Sequence, residues 1–325
     1  MNNNNKNTVH LIIATTTTIL AVLWIAWAGR DPNQSCNPTI GIIQTISHPA
    51  LDQVREGYTT HLKQKLGSSI NFIYQNADGS AANAYSIAKS YHANSSIKGI
   101  LAIGTPAAQA IAGIEKIKPI YIAAVTDPSA AGLLKENKNV CGTTDKVDLG
   151  KEIEVIKYIL PHAHTVAIVY NPAEANSVAM VQALLVELTK AHMEPIKIGV
   201  HSDAEITYAI SNAAQRADLI IAPTDNLIVA AMPQVVAIAL KYNKPVIATD
   251  NPSVTRGALA SRGIDYTDAG IQTAVITLDI INGKTPQEVG IQNPHTHQLI
   301  VNRSTLQTLH LTIPDALKEN VTLIG

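Results

Sequence analysis

Polar side chains follow six apolar segments of this chain, and the repetition of this pattern is the strongest functional signal in the sequence. The apolar residues 246–248 are followed at once by Thr249, Asp250 and Asn251. Five other apolar segments end in hydroxyl, amide or carboxyl groups in the same way, and they begin at Ile40, Ile100, Ile120, Val166 and Leu219. Such groups can hold the polar ends of a small molecule through hydrogen bonds. We therefore expect these segment ends to form a binding site.

Patterns that would support catalysis or metal binding are weak by comparison. His48 could serve as a general base, but no Gly-x-Ser-x-Gly motif places a nucleophile beside it. His162 with His164, and His295 with His297, are spaced two apart, without a cysteine or carboxylate at a familiar metal-ligand spacing. Neither a Gly-x-Gly-x-x-Gly motif after the first predicted strand nor a P-loop is present. We expect no cofactor, no bound metal and no enzymatic activity.

Strands that alternate with helices must position these residues. This alternation predicts an α/β fold with parallel, doubly wound sheets. The alternation restarts after Pro161, so the chain contains two copies of one topology without a residue-level repeat. Strands are predicted at residues 39–46, 69–74, 98–103, 119–125, 165–170, 195–200, 218–222, 245–249, 257–263 and 296–301. Helices are predicted to follow an N-cap at Ser47 as far as about Leu66, and at residues 80–92, 149–160, 174–191, 203–215, 227–242, 266–283 and 304–309.

Helix starts lie where a ligand of such a sheet would bind. Sites in open α/β sheets lie beyond the carboxyl ends of the strands, where helix N-termini present free N–H groups and suit a carboxylate. For any single hydroxyl a helix cap is the more ordinary role, so the accumulation of such residues in both halves carries the functional interpretation. The helix starts in question are Ser47-His48, Thr105-Pro106, Asn171-Pro172 and Thr224-Asp225-Asn226.

Four acidic residues stand in equivalent places. Asp127, Asp225 and Asp250 each follow a threonine directly after an apolar strand, and Glu174 follows the turn that begins at Asn171. One such carboxylate could pair with a ligand ammonium in a charge-assisted hydrogen bond. The alternative for each is an N-cap or an ion pair at a hinge.

Length and charge restrict the class of protein. Domains commonly contain about 100–200 residues, so 325 residues suggest two lobes after any targeting segment. With 24 basic and 25 acidic residues, the net charge of −1 offers no field that would attract nucleic acid. A role in DNA binding is therefore disfavoured.

The N-terminus has the composition of an export signal. Residues 11–28 are apolar or threonine and carry no charge, and Ala26-Trp27-Ala28 offers a small-x-small cleavage pattern. We predict a signal peptide at residues 1–28, cleaved after Ala28, then a linker at residues 29–38. An uncleaved anchor is the alternative, because about 18 apolar residues are close to the lower limit for spanning a bilayer.

Cys36 and Cys141 are the two cysteines of the chain. The residues before Cys36 are Asn33-Gln34-Ser35, which argues against lipidation of that cysteine. In an oxidising compartment the two thiols could form a disulfide. Two separate thiols, one of them buried, are the other possibility.

Seven motifs occur in a characteristic order: Ser47 to Gly57, Gly104-Thr-Pro-Ala-Ala-Gln109, Ala124-Val-Thr-Asp-Pro128, Tyr170-Asn-Pro-Ala-Glu-Ala-Asn-Ser177, Pro223-Thr-Asp-Asn226, Gly257-Ala-Leu-Ala260 and Gly263-Ile-Asp-Tyr266. Together they resemble the substrate-binding family of tryptophan- and tyrosine-type ABC transporters, over residues 39–320. The resemblance implies the type I periplasmic binding protein fold, with two lobes, three crossovers and closure on a ligand. We expect lobe 1 at residues 39–143 with 265–290, and lobe 2 at residues 144–264 with 291–325.

The same resemblance implies ligand contacts in both lobes. Those of the first lobe are Ser47, His48, Thr105, Thr126 and Asp127. Those of the second lobe are Glu174, Asn176, Ser177, Thr224, Asp225, Asn226 and Asp250. Two residues depart from the pattern: Cys141 replaces a usual threonine at the first crossover, and Arg262 could add a cation near the cleft.

The sequence therefore predicts an exported, periplasmic or cell-surface solute-binding protein. We expect a monomer that captures a small amino acid, aromatic by family resemblance, and delivers it to the permease subunits of an ABC importer. The expected carboxylate contacts are the helix N-termini at Ser47 and Thr105, and the expected ammonium contact is Asp225, Asp250 or Glu174. Three alternatives remain open. The ligand could be a different carboxylated or polar solute. The chain could instead be a receptor ectodomain that retains residues 11–28 as an anchor, or a hydrolase or lyase on the same scaffold.

Overall fold

The computed structural model describes residues 37–135, 137–295 and 297–325. The predicted signal peptide and Cys36 lie outside the described residues. Residues 38–325 cluster as one unit of the chain. In the part of the chain that is described, no helix is both long enough and apolar enough to span a membrane.

The strands, numbered in chain order, are β1 Thr39–Gln44, β2 Asn71–Asn76, β3 Ile97–Ile103, β4 Ile120–Ala123, β5 Val140–Thr143, β6 Thr165–Tyr170, β7 Glu194–Gly199, β8 Leu219–Ala222, β9 Val246–Ala248, β10 Ala260–Ile264, β11 Ile291–Gln292, β12 His297–Asn302 and β13 Val321–Ile324. The α-helices are α1 Pro49–Leu66, α2 Ala81–Ala93, α3 Thr105–Ile114, α4 Leu149–Ile159, α5 Ala175–Lys190, α6 Asp203–Arg216, α7 Asn226–Ala230, α8 Met232–Lys241, α9 Asn251–Thr255, α10 Tyr266–Ile281, α11 Pro286–Val289, α12 Arg303–Thr308 and α13 Asp315–Lys318.

The strands form two sheets with the same winding. The first has the order β11-β5-β4-β3-β1-β2 and is parallel throughout. The second has the order β13-β12-β10-β9-β8-β6-β7, in which only the β10–β12 pair is antiparallel. The chain passes between the sheets three times, after β5, after β10 and after β11. The predicted pair of doubly wound sheets with three crossovers is therefore present.

Five of the strands are buried along their whole length, which accounts for their continuous apolar sequences. Every residue of β1, β4, β5, β8 and β9 is buried. A parallel sheet is covered by helices on both faces, so its central strands are continuously apolar rather than alternating. Cys141 belongs to this core: it lies in β5, fully buried, as a free thiol.

Helix α1 shows how sequence signals fix the elements near the site. Pro49 occupies its first turn, and the backbone turns out of the helix at Gly67 with φ of 58°. Leu51, Val54, Tyr58 and Leu62 recur at helical spacing and are buried, as predicted. The predicted cap at Ser47 was wrong by one residue: the N-cap is His48, whose side chain makes no capping hydrogen bond.

Helix α1 packs very closely against α10 through two glycines. A Cβ atom on Gly57 would lie 2.3 Å from the Thr267 carbonyl oxygen, and one on Gly270 would lie 2.2 Å from the Val54 carbonyl oxygen. No side chain fits at either position, so glycine permits the two backbones to approach. This contact sets the position of both helices in the first lobe.

The predicted helix over residues 227–242 is broken into α7 and α8. Pro233 lies in the first turn of α8. Proline lacks an N–H group, and its ring clashes with the carbonyl four residues earlier, which here belongs to Val229. The guanidinium of Arg256 donates instead to the carbonyl oxygens of Val229 and Ala230, at 2.6 and 2.8 Å.

Short elements near the end of the chain had no clear sequence signal. The prediction omitted α9, α11, α13, β11 and β13, and β5 was recognised only as a short apolar stretch. Strand β11 pairs with β5, so residues 291–292 join the first sheet, although the predicted second lobe included them. A two-residue strand has too few side chains to produce a hydrophobic period.

Candidate functional site

The two sheets place their topological switch points at matching positions. The strand order reverses between β1 and β3 in the first sheet and between β6 and β8 in the second. Ligands of open α/β sheets bind in the crevice outside the carboxyl ends of the strands at such points. The loops after these strands begin at Thr45, Gly104, Asn171 and Pro223.

A small cavity of about 10 Å³ lies between these loops, with walls from both lobes. This is roughly the volume that one ordered water molecule needs, so the lobes are closed on each other here. Its lining consists of His48, Ala50, Leu51, Thr105, Ala124, Thr126, Asp145, Asn176, Thr224, Asp225, Asn226, Val229, Asp250 and Tyr266.

Eight of the twelve predicted ligand contacts line this cavity. They are His48, Thr105, Thr126, Asn176, Thr224, Asp225, Asn226 and Asp250. The other four, Ser47, Asp127, Glu174 and Ser177, are not part of the lining. The placement brings both lobes to one site, and the role of each residue in ligand binding stays a prediction.

The residues outside the lining have local partners. Ser47 is exposed and donates to Asp52 Oδ2 at 2.8 Å. Asp127 is exposed and its Oδ1 accepts from the Ala130 N–H at 2.8 Å, which closes a turn. Ser177 is buried and donates to Asp225 Oδ2 at 2.5 Å. These three side chains therefore make local hydrogen bonds outside the cavity lining, and their predicted ligand contacts stay predictions.

Glu174 stands directly behind the lining. Its Oε2 accepts from Asn226 Nδ2 at 2.5 Å, from the Asn226 backbone N–H at 3.2 Å and from Asn176 Nδ2 at 3.2 Å. Burial, together with the negative charge of Asp225, raises the pKa of Glu174 to about 7. Two lining amides are thus held by a carboxyl group that does not itself line the cavity.

Two lining carboxylates are helix caps. Asp225 caps α7, its Oδ1 accepting from the Ile228 N–H at 3.0 Å, while its Oδ2 accepts from the Asn171 N–H at 2.5 Å. Asp250 caps α9, its oxygens accepting from the Ser253 N–H at 2.9 Å and the Ser253 hydroxyl at 2.7 Å. Burial raises the pKa of both carboxyl groups.

Asp145 is a site residue that the sequence interpretation missed. It follows β5 and Thr144, so the same Thr-Asp pattern that marked the other aspartates was present here. It is buried, its Oδ2 accepts from the Tyr266 hydroxyl at 3.5 Å, and burial raises its pKa to about 6. Tyr266 also lines the cavity and was missed as a contact.

Five polar atoms of the lining are buried without a hydrogen-bond partner among the described residues. Buried polar atoms are nearly always hydrogen-bonded, and a cluster of exceptions in one cavity indicates a place for a ligand. The five atoms are His48 Nδ1, Thr105 Oγ1, Thr126 Oγ1, Asp145 Oδ1 and Asn176 Oδ1.

The expected cation is not at the cavity. Arg262 lines a separate surface hollow with Lys151 and His297, and its backbone N–H donates to Glu152 Oε2 at 2.8 Å. Its strand position explains this, because β10 pairs with β12 at the far side of the second sheet. The cavity lining within the described residues contains carboxylates but no lysine or arginine.

Metal chemistry has no visible support. Among the described residues, no group of three or more His, Cys, Asp or Glu side chains is arranged to hold a metal ion. His295 is exposed, and His297 Nε2 lies 3.3 Å from the Lys146 carbonyl oxygen.

Comparison with known proteins agrees with this architecture. Residues 39–322 match the family described as ABC transporter substrate binding protein. A tyrosine-binding protein of Clostridioides difficile is 34% identical over 279 residues, which cover 84% of this chain and 81% of the relative.

Two solved structures add detail. One is an ABC domain in complex with L-Trp from Streptococcus pneumonia, with 28% identity, a TM-score of 0.85, and coverage of 89% of this chain and 100% of that one. The other is the ligand-free, open structure of a substrate binding protein with adhesive properties from Clostridium difficile, with 34% identity, a TM-score of 0.68, and coverage of 89% and 99%. With these two lobes and this family match, the chain belongs to the family of ABC transporter substrate-binding proteins and has the type I periplasmic binding protein fold.

Proposed function

We propose that this protein captures an aromatic amino acid in the cavity between its lobes and releases it unchanged to an ABC importer. The observation that carries the proposal is the convergence of five unpartnered, buried polar atoms on that cavity. Three of these atoms, His48 Nδ1, Asp145 Oδ1 and Asn176 Oδ1, can accept hydrogen bonds, and the hydroxyls of Thr105 and Thr126 can donate them. An amino acid can bind to both kinds of atom, because its ammonium donates hydrogen bonds and its carboxylate accepts them.

Asp145 is the best candidate for the ammonium contact. Its Oδ1 is buried and unpartnered, whereas the oxygens of Asp225 and Asp250 are occupied by helix caps. Asn176 Oδ1 supplies a second free acceptor, since Nδ2 of the same amide donates to the Thr224 carbonyl oxygen at 2.8 Å. Asp145 therefore replaces the three acids that sequence reasoning favoured.

The carboxylate has its donors in the first lobe. Thr105 offers an unpartnered hydroxyl, and the Thr126 hydroxyl, which also faces Asp145, lies beside it in the lining. Ala50 and Leu51 line the cavity in the first turn of α1, where backbone N–H groups have no intrahelical acceptor. The N-terminus of this 18-residue helix also favours a negative charge.

The rest of the lining suits an apolar side chain. Ala50, Leu51, Ala124, Val229 and the ring of Tyr266 supply carbon surface beside the polar atoms. The choice of an aromatic amino acid is supported by the tyrosine-binding relative and by the L-Trp complex. Membership of a substrate-binding family supports binding without catalysis.

Closure of the lobes is supported by two observations. His48 of the first lobe and Asn226 of the second are in contact, with Nε2 and Oδ1 3.4 Å apart. The chain is also more similar in shape to the L-Trp complex than to the open, ligand-free relative, although the latter has the higher sequence identity. A ligand that contacts both lobes stabilises the closed form by the difference of its affinities for the two forms.

The location and partners follow from this role. We propose an exported, monomeric protein that acts outside the cytoplasm and meets the permease subunits of its importer in the membrane. The family match and the predicted signal segment at residues 1–28 support this placement.

Calorimetric titration of the full chain at about pH 8 tests the proposal. We expect saturable binding of L-tyrosine or L-tryptophan, and about 10–100-fold weaker binding by Asp145→Asn, because a hydrogen bond to a charged group contributes about 1.5–3 kcal/mol. Asp203→Asn, the same substitution at an exposed position outside the lining, is the matched control and should bind normally. Absence of binding to every aromatic amino acid would refute the function, and normal affinity in Asp145→Asn would refute the ammonium assignment.

A further inference from the structure

The contact between the lobes continues into a chain of three side chains. His48 Nε2 lies 3.4 Å from Asn226 Oδ1, and Asn226 Nδ2 lies 2.5 Å from Glu174 Oε2. Glu174 Oε2 also accepts from the Asn226 backbone N–H at 3.2 Å. Glu174, Asn226 and His48 are called the relay below.

The relay determines which way the Asn226 amide points. A carboxylate oxygen accepts hydrogen bonds, so it requires the NH₂ group of Asn226 on its side. When Glu174 is ionised, as it is for the most part at about pH 8, reversing the amide would bring the Asn226 carbonyl oxygen against the carboxylate with no proton between them. Asn226 therefore presents its oxygen to His48.

The orientation of Asn226 in turn determines the tautomer of His48. An oxygen facing Nε2 requires the proton on Nε2, and a neutral imidazole then has a bare acceptor at Nδ1. Burial lowers the pKa of His48 to about 4, so the ring is neutral near pH 7. Its Nδ1 is buried, has no partner among the described residues and belongs to a residue of the cavity lining.

We propose that the relay presets His48 Nδ1 as a hydrogen-bond acceptor for an N–H or O–H group of the ligand, with Glu174 and Asn226 as positioning residues. The proposal rests on the proposed function, because it takes the cavity as the ligand site. It adds a selection rule: the site favours solutes that place a donor at Nδ1. In an amino acid that donor is the ammonium, or the phenol O–H or indole N–H of the side chain.

The relay also connects this selection to closure. His48 belongs to the first lobe, whereas Asn226 and Glu174 belong to the second. The approach of the lobes is therefore what joins the imidazole to the amide that orients it. The acceptor is completed as the cavity closes around the ligand.

The tautomer can be measured directly by NMR. In full-chain protein with ¹⁵N-labelled histidine at about pH 8, long-range ¹H–¹⁵N correlations distinguish the Nε2–H form from the Nδ1–H form. The His48 signals are identified by their loss in His48→Gln. With L-tyrosine at saturation, we expect the Nε2–H form and a displaced Nδ1 resonance. The Nδ1–H form, or an Nδ1 resonance that does not move on saturation, would overturn the proposal.

Two variants of Glu174 distinguish control of the His48 tautomer from a purely structural role of this side chain. Glu174→Ala removes the acceptor, so His48 should become a mixture of tautomers and L-tyrosine affinity should fall about tenfold, as expected for about 1.4 kcal/mol. Glu174→Gln can still turn a carbonyl oxygen toward Asn226, so the tautomer should persist and affinity should change less than about threefold. An Nε2–H form unchanged in Glu174→Ala would overturn the relay.

Ligand analogues identify the donor and separate this proposal from the proposed function. If Glu174→Ala weakens L-tyrosine and L-phenylalanine equally but not 3-(4-hydroxyphenyl)propionate, the ammonium is the donor. If it weakens L-tyrosine but not L-phenylalanine, the phenol is the donor. A wild-type protein that binds no aromatic amino acid would refute the proposed function, whereas one that binds L-tyrosine with His48 as a mixture of tautomers would refute the relay alone.

Discussion

Asp145 and Asp250 are both buried carboxylates of the cavity lining, and their hydrogen bonds separate their roles. Asp250 accepts from Ser253 through both oxygens and thereby holds the first turn of α9. Asp145 accepts a long bond from Tyr266 and also faces the Thr126 hydroxyl, and its Oδ1 has no close hydrogen-bond partner among the described residues. A buried acceptor without a partner costs stability, which a ligand ammonium would recover on binding.

Glu152 is a buried acid whose effect on stability depends on pH. It is fully buried in α4, and burial raises its pKa from 4.5 to about 7. A carboxyl group whose pKa is raised on folding gives its full stability below the ordinary pKa and loses it as pH rises through the folded value. The ionised Glu152 therefore weakens the fold at alkaline pH.

We predict that Glu152→Gln is more stable than the wild type at about pH 9 and gains far less at about pH 5. The raised pKa of Glu152 corresponds to a gain of about 3 kcal/mol at the higher pH. Urea unfolding at both pH values measures it. Glu154→Gln, at an exposed position of the same helix, is the matched control. An equal stability difference between Glu152→Gln and wild type at both pH values would contradict the assignment.

Residue types alone could not show which acidic side chain is the best candidate for contact with the ligand ammonium. The Thr-Asp pattern is shared by Asp127, Asp145, Asp225 and Asp250, yet the first is an exposed turn residue, two are helix caps and only Asp145 retains a free buried oxygen. The pattern reflects the chemistry of helix starts, which capping and ligand binding both use. The hydrogen bonds that each carboxyl group makes in the folded chain decide between those uses.

At the scale of elements, helices α1 and α10 carry cavity residues at their N-termini. Ala50 and Leu51 belong to the first turn of α1, and Tyr266 is the first residue of α10. The glycine contact between the two helices therefore fixes the relative positions of the proposed carboxylate donors and the Tyr266 ring that binds Asp145.

We predict that Gly270→Ala destabilises the protein and weakens ligand binding. The added methyl would meet the Val54 carbonyl oxygen at 2.2 Å, so α1 and α10 must move apart, at a cost of about 1–3 kcal/mol or more. Urea unfolding and calorimetry measure the two effects. Gly113→Ala, exposed in α3 with no atom within 4 Å of the new methyl, should instead stabilise by about 0.5–1 kcal/mol. Normal stability of Gly270→Ala would contradict the role of the contact.

The long elements could be predicted from the sequence, and their interruptions could not. The strand at residues 165–170 was predicted with its observed bounds, and the first helix with its observed end at Leu66 and a start one residue early, because their apolar periods and end signals agree. The break between α7 and α8 had a local cause in Pro233, but the carbonyl groups it frees are satisfied by Arg256 from a later loop. This compensation depends on the tertiary fold, so the local sequence could not predict it.

At the scale of the whole molecule, the alternation of strands and helices was sufficient to predict two doubly wound lobes. A ligand site between the lobes was predicted from the strand ends, but the arrangement of its side chains was not, because loops after strands of two different sheets must face each other. Its contacts join residues more than a hundred positions apart, such as Tyr266 with Asp145 and His48 with Asn226. Sequence motifs marked candidates for both sides without giving their mutual distances.

The central claim is that an aromatic amino acid draws the two lobes together around this cavity. Small-angle X-ray scattering of ligand-stripped, full-chain protein during titration with L-tyrosine or L-tryptophan tests it most directly. We predict a radius of gyration that falls and saturates at one ligand per chain, with a much smaller fall for Asp145→Asn at the same ligand concentrations. A radius of gyration that stays constant while ligand binds would contradict closure on the ligand.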